Sequence, residues 1–472
     1  MDFSIFREYD IRGIVGTHFN PEETYDLGRA LVTYFLEKNP KTTTITIGMD
    51  GRISSPAIKS FLSKAFTDNG FDVLDLGLCT TPAFYFSLHT QDSKTGIMIT
   101  ASHNPKDHNG IKVCLNTESV SGEELKKIGK YLRLRQFYAP TTNKKGTVHT
   151  LDIITHYVAY LADAFSHLKQ MDFAAVFDCG NAAGGAVMPA LIKAMEWQNV
   201  IVLHETIDGT FPNHEADPTE LENMQDVKKL LTEKRYLEVG IGLDGDADRM
   251  SPMTPSGKLI PGDQILALFS SFVLKEHPKS TIVCDIKCSS TLEQIVTENS
   301  GKLLMVPSGH TTIKETMKRE PTALLAGELS CHFFFKDRYF GFDDGIYAAL
   351  RLIEILEMST TSFDDLINRL PQKIATPEIR FACKEEQKKE IIKHVTAVFA
   401  ACSDAKLITI DGVRAHLPYG WGLLRASNTQ ALVSLRFEAD TQENLQLVKQ
   451  DFYTALKAYF TEQELKEKLG LI

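Results

Sequence analysis

The chain has 472 residues and a formal net charge of -10, with 43% hydrophobic, 24% charged and 9% aromatic residues. This is the balance of an ordinary folded protein; it excludes global disorder, and the length asks for about three domains at roughly 150 residues each. No Lys/Arg block marks a nucleic-acid or polybasic membrane surface, so an anionic ligand would need a local basic cleft.

In chain order, the opening "MDFSIFREYDIRG" lacks the basic flank and apolar core of a leader peptide, and no run of about 20 apolar residues follows, which sets a cytoplasmic expectation. Asn20, Pro21 and Glu23 predict a helix start with a capping box, running to about Lys38 with Leu27, Leu31 and Phe35 on its apolar face. "TTTITIG", "PAIKSFLSKAF" and "FDVLDLG" continue as strand, helix and strand. The rhythm restarts at "FAAVFDCG", with helices near 184–196 and 222–235 around "NVIVLHE" and before "EVGIGLDGDAD". It restarts again with the helix "DQILALFSSFVLKEH", the strands "TIVCDI", "LLMVP" and "ALLAGE", and helices between them, one from about His310. The last hundred residues alternate short strands with two long helices, the pattern of an α+β module. The expected architecture is therefore three related mixed-sheet α/β domains at 1–150, 151–255 and 256–368, and an α+β domain at 369–472. The eight scattered cysteines, mostly in apolar segments, read as reduced structural thiols.

Four polar clusters follow apolar strands. "TGIMITASHNPKDHNG" places Ser102, His103 and Asn104 at the carboxyl end of a strand, where α/β sheets carry ligands; Ser102 is expected to be presented rather than buried, and the loop is either a phosphate cradle or a polar turn. It is neither a nucleophile elbow nor a Walker A loop. "GLDGDADRM" sets Asp244, Asp246 and Asp248 at alternate positions; on extended backbone they would share a face and want a hard cation, with Mg²⁺ suited to all-oxygen ligands. An acidic turn or a Ca²⁺ loop is the alternative, although the EF-hand pattern is absent. Glu328, Ser330 and His332 in "GELSCH" can orient sugar hydroxyls or serve as structural groups. Arg425, Ser427, Asn428 and Thr429 in "RASNT" suit a phosphate held without cleavage, or an ordinary β turn.

Together, "YDIRG", "GMDGRIS", "TASHNP", "GLDGDADR", "GELSCH" and "RASNT", in that order, resemble the α-D-phosphohexomutases, in particular the bacterial bifunctional phosphomannomutase/phosphoglucomutase type. The resemblance implies a central cleft, Ser102 as phosphoserine and metal ligand, and Asp244, Asp246 and Asp248 as the Mg²⁺ carboxylates. It implies Arg12, Lys112 and His310 for proton transfer or charge stabilisation, Arg249 as a catalytic neighbour of the active phosphate, Tyr9, Lys287, Glu328, Ser330 and His332 for substrate, and Arg425, Ser427, Asn428 and Thr429 for the distal phosphate. The implied substrates are hexose monophosphates, with hexose 1,6-bisphosphate as activator and intermediate, in a monomer or a dimer without nucleic-acid or membrane partners. Cys331 stands where the family usually has glycine, which bears on sugar preference. An amino-sugar phosphate mutase and a non-catalytic sugar-phosphate sensor are the competing readings.

Overall fold

The computed structural model describes residues 1–140, 144–427 and 431–471. They divide into two compact units, one of residues 1–262 with 330–364 and one of 263–329 with 365–472. The first unit opens with β1 (Ile11–Ile14), α1 (Thr24–Lys38), β2 (Thr44–Met49), α2 (Ser55–Asp68), β3 (Asp72–Leu78), α3 (Thr81–Thr90), β4 (Gly96–Ile99), β5 (His108–Leu115), β6 (Glu118–Ser119), α4 (Gly122–Arg133) and β7 (Val148–Thr150). The strand order is β1-β5-β4-β2-β3-β7, with β6 added to β5. β2 runs parallel to β3 and β4, whereas β5 turns back antiparallel to both β4 and β1.

The capping box operates as predicted: the Asn20 N–H donates to Glu23 Oε2 at 2.7 Å, and a single 3₁₀ turn, Pro21–Glu23, feeds α1. Leu27, Leu31 and Phe35 are buried against the sheet. α3 escaped the pattern reading because residues 81 to 88 are all buried, so it has no polar stripe to reveal a helical period. Its start is fixed instead by Thr80 Oγ1, which accepts from the Ala83 N–H at 3.2 Å.

A second sheet follows, built from α5 (Ile153–Ala164), β8 (Ala174–Asp178), α6 (Met188–Met195), β9 (Asn199–Leu203), α7 (Gln225–Glu233), β10 (Val239–Leu243) and β11 (Met250–Met253), with strand order β11-β10-β8-β9. β8 lies parallel to β9 and β10, and only β11 is antiparallel. All residues of β8 and β10 are buried, which is why they read as unbroken apolar runs.

The chain then enters the second unit through α8 (Gly262–Glu276), β12 (Thr281–Asp285), α9 (Ser290–Glu298), β13 (Lys302–Val306), α10 (His310–Arg319) and β14 (Ala323–Gly327), with β12 parallel to β13 and β14. β15 (Phe333–Phe335) and α11 (Gly345–Met358) return to the first unit. There Asp344 accepts hydrogen bonds from Tyr157 at 2.7 Å and Tyr339 at 2.8 Å.

After α12 (Phe363–Asn368) come β16 (Ile374–Ala375), β17 (Ile379–Ala382), α13 (Gln387–Ala400), β18 (Lys406–Ile408), β19 (Val413–Leu417), β20 (Gly420–Ala426), β21 (Leu432–Ala439), α14 (Gln442–Leu456) and α15 (Glu462–Leu469). The strand order is β16-β21-β20-β19-β18, with β17 also on β21, and every pairing is antiparallel. Phe399, Val448 and Phe452 of α13 and α14 pack into the same core as Val413, Leu424 and Phe437 of the sheet. The α+β expectation for this region holds.

Candidate active site

In the first unit the site grows from three strand ends. After β4 the chain turns sharply: Ser102 has φ +50°, its N–H donates to Thr100 Oγ1 at 2.9 Å, and the Asn104 N–H donates to Ala101 O at 3.0 Å. The expectation that Ser102 is presented needs correction, since it is only 3% exposed. Its hydroxyl donates to Asp244 Oδ2 at 2.6 Å and lies 3.1 Å from His103 Nδ1, so the aspartate loop covers it.

Asp244, Asp246 and Asp248 follow β10 and converge, each with a carboxylate oxygen within 4.8 Å of the others. The route to convergence differs from the extended backbone expected. The chain turns, with the Ala247 N–H donating to Asp244 O at 3.0 Å and Ala247 at φ +60°. Gly245 is required by proximity: a Cβ there would sit 2.1 Å from Ser102 O.

Lys112 of β5 places Nζ on Asp246 Oδ2 at 2.9 Å and also donates to Asp248. Burial opposes the Lys112 charge, but Asp246 and Asp248 overcome it and hold its pKa well above the usual ammonium value. Burial, with the negative charges of Asp248 and Asp246, pushes Asp244 well above the carboxylate range. Asp248 experiences the same burial but is held well below that range by Lys112 and His332. Thr81 Oγ1 donates to Asp246 Oδ2 at 2.6 Å, while the buried Asp246 Oδ1 accepts no hydrogen bond from the described residues. Three convergent carboxylates, a serine oxygen and two buried acceptors left over, Asp246 Oδ1 and Asp248 Oδ1, fit a hard divalent cation.

Arg12 lies opposite Gly110 in the β1–β5 register, on the same face as Lys112 two positions along, and donates to Asn104 Oδ1 at 3.0 Å and to Asp10. Tyr9 is half-buried in the bend before β1. Arg249 Nε donates to His332 Nε2 at 3.2 Å, and His332 in turn faces Asp248 Oδ1 at 3.3 Å and Ser330 Oγ at 3.2 Å. Ser102, Arg12, Lys112, Arg249, Ser330, His332 and the three aspartates therefore belong to one connected polar network of the first unit.

Arg52 is the group that motif reading passed over. Its guanidinium is 2% exposed and donates to the carbonyls of Ser102 (2.7 Å), Pro105 (2.7 Å), His108 (3.0 Å) and Asn104, and to Asp50 at 3.1 Å. The signal was present in "GMDGRIS": Asp50 and Arg52 stand just past the carboxyl end of β2, the location that also carries Ser102 and Asp244.

The second unit holds the remaining candidates. Lys287 Nζ is 3.5 Å from Asp285 Oδ2, which also accepts from Ser308 Oγ at 3.0 Å. Glu328 Oε1 accepts the Gly309 N–H at 2.8 Å, fixing the turn before α10, whose first residue is His310. Arg425 pairs with Asp411 at 3.0 Å, and the same Asp411 oxygen accepts the Ser308 N–H at 3.2 Å. Burial works against ionised Glu378, but the charges of Lys287 and Arg425 hold its pKa below the usual value. The Ser427 carbonyl accepts from Lys388 at 2.8 Å, whereas Asn428 and Thr429 lie outside the described residues. Two further arginines grip the loop around Lys287: Arg414 donates to the carbonyls of Ile286 (2.8 Å) and Cys288 (2.7 Å), and Arg436 to that of Lys287.

Profiles of phosphoglucomutase/phosphomannomutase match almost the whole chain: alpha/beta/alpha domain I over residues 4–138, domain II over 155–257, domain III over 261–374 and the C-terminal domain over 378–455. The chain belongs to the phosphoglucomutase/phosphomannomutase family. A phosphomannomutase/phosphoglucomutase of Pseudomonas syringae is 40% identical over 96% of this chain and 95% of its own length. A phosphoglucomutase of Neisseria meningitidis is 38% identical over 96% and 97%. Among solved structures, a phosphoglucomutase/phosphomannomutase family protein of Burkholderia thailandensis superposes with a TM-score of 0.89 at 34% identity, over 97% of this chain and 98% of that one. Two non-glycine residues beside this network, Ala247 (φ +60°) and Cys331 (φ +67°), hold left-handed conformations that side chains disfavour.

Proposed function

We propose that the protein reversibly moves a phosphoryl group between the 1- and 6-oxygens of glucose and mannose monophosphates. The observation that carries this is the Ser102 hydroxyl bonded to Asp244 inside the three-aspartate cluster, in a chain of this family. Phosphorylated Ser102 gives its phosphoryl group to the free oxygen of the substrate, forming hexose 1,6-bisphosphate; this turns around, and the other phosphate returns to Ser102. Asp244, Asp246 and Asp248 would hold Mg²⁺, which when bound supplies positive charge to phosphoryl oxygens.

The chain's own residues do the rest. Arg52 fixes the backbone of the Ser102 turn, so that the nucleophile does not have to be ordered during reaction. Lys112, seated between two carboxylates, and Arg12 and Arg249 supply fixed positive charge, and His310 is the residue assigned to proton transfer in this reading. Tyr9, Lys287, Glu328, Ser330 and His332 take the sugar and its near oxygens, while Arg425, Ser427, Asn428 and Thr429 take the distal phosphate. In this assignment domains 1–150, 151–255, 256–368 and 369–472 contribute phosphoserine, metal, sugar and distal-phosphate loops respectively. A monomer in the cytoplasm, activated by hexose 1,6-bisphosphate, completes the reading.

The test is interconversion of glucose 1-phosphate or mannose 1-phosphate with the 6-phosphate, in Mg²⁺ with a trace of glucose 1,6-bisphosphate. Ser102→Ala should lose at least about 10³-fold in kcat while keeping its fold by circular dichroism. Mass measurement should find one phosphoryl group on the wild type and none on the variant. Near-normal turnover by Ser102→Ala would reject the nucleophile, and substrate binding without any turnover by the wild type would favour a sensor.

A further inference from the structure

A second cluster of metal-ligating side chains sits at the carboxyl ends of the second sheet's parallel strands, apart from the three aspartates. Asp178 ends β8, His204 follows β9, His214 lies in the connection to α7, and Asp226 is in the first turn of α7. One ligand atom each from Asp178, His204 and His214 lies within 4.8 Å of the others. His214 Nε2 is 3.1 Å from Asp178 Oδ2; His204 Nε2 is 3.9 Å from that same oxygen and 3.1 Å from Asp226 Oδ2. A tetrahedral ion with bonds of about 2.0–2.1 Å sets its ligand atoms about 3.3 Å apart, and the observed separations bracket that value.

The hydrogen bonding around the cluster has the form of a ligand shell. His214 Nδ1 is 2.8 Å from the Glu215 carbonyl, which only accepts, so Nδ1 carries the hydrogen. In the neutral ring, Nε2 then turns its lone pair toward a carboxylate oxygen, an arrangement of two acceptors that a proton or a metal cation between them resolves. Asp178 is steadied in the same way, its Oδ1 accepting the Gly180 N–H at 2.8 Å. Side-chain exposure of 2% at Asp178, 14% and 15% at the histidines and 56% at Asp226 describes a site closed at its base and reachable from solvent. Two imidazoles with a carboxylate select a first-row transition ion over Mg²⁺, which prefers oxygen alone.

We propose that Asp178, His204 and His214, with water in the fourth position on the solvent side next to Asp226, form a structural zinc-class site. The ion ties the 204–217 connection to the sheet. That connection includes Ala216, whose Cβ would lie 3.7 Å from a Cβ placed on Gly245, so the tie supports the back of the aspartate turn without entering the chemistry.

The test uses the full-length protein, chelator-treated, returned to saturating Mg²⁺ and titrated with Co²⁺, followed by competition with Zn²⁺. The wild type should take up one equivalent giving the intense visible bands of a four-coordinate nitrogen/oxygen site without thiolate charge transfer, and one equivalent of Zn²⁺ should abolish them. His204→Gln should weaken that equivalent at least tenfold and leave Mg²⁺-supported turnover within about twofold, because His204 touches none of the reacting network. Asp226→Asn, on the surface beside the bound water, is the second variant and should also weaken it. The proposal is overturned by unchanged Co²⁺ spectra in both variants, by bands of thiolate character alone, or by the absence of any four-coordinate equivalent in the wild type.

Discussion

At Arg52, one guanidinium replaces water for four carbonyls of the segment that bears Ser102. Removing it would strand Asp50, which is 2% exposed, together with those carbonyls in a dry interior. Arg52→Ala is expected to cost about 3–5 kcal/mol in denaturant unfolding. Arg52→Lys, which keeps the charge but loses the fork, should retain the fold and lower kcat more than KM, since the damage is to placement of Ser102 and not to substrate contacts. An equal loss in both variants, or a change confined to KM, would contradict the positioning role. The sequence could not announce this residue by type, because a buried arginine that bonds to main chain has no side-chain partner pattern beyond its own Asp50.

Among elements, strand ends were the legible part and their depth was not. Apolar runs such as "VGIGL" located β10 and so the aspartates, but the turn at 244–248 depends on tertiary contacts with Ser102 that no local pattern encodes. The final sheet was legible as alternating strands, yet the work of Arg414 on β19 was not. Arg414 is buried, stacks on the Trp421 ring at 3.7 Å and donates to His416 Nε2 at 3.2 Å. Burial and this neighbouring charge push the His416 pKa down to about 4 from the ordinary 6.5. Between those values the unfolded chain binds more protons than the folded one, so this contribution is complete above pH 6.5 and is lost as pH falls to 4. His416→Gln, which still offers Arg414 an acceptor, should flatten that decline. Urea unfolding followed by Trp421 fluorescence in a Trp197→Phe background would measure it, and parallel pH profiles for the two proteins would refute it.

For the whole molecule, the six ordered motifs were enough to place the chain in its family, while the convergence of Asp244, Asp246 and Asp248 leads to a testable expectation about metal. Chelation should reduce turnover at least about 10²-fold, and Mg²⁺ alone should restore it. Restoration by Mg²⁺ without added Zn²⁺ would assign the catalytic requirement to the aspartates and leave Asp178, His204 and His214 a structural role. Failure of Mg²⁺ to restore activity to a still-folded protein would count against the oxygen-ligand assignment. The discontinuity of the first unit has a consequence for biosynthesis. Ser102 leaves the ribosome 142 residues before Asp244, its hydrogen-bond acceptor, and still earlier than His332 and α11, which complete the same unit only after residues 263–329 have been made. A nascent chain thus carries Ser102 without the partners that bury it, and the unit around it is completed late, once translation has passed the intervening segment.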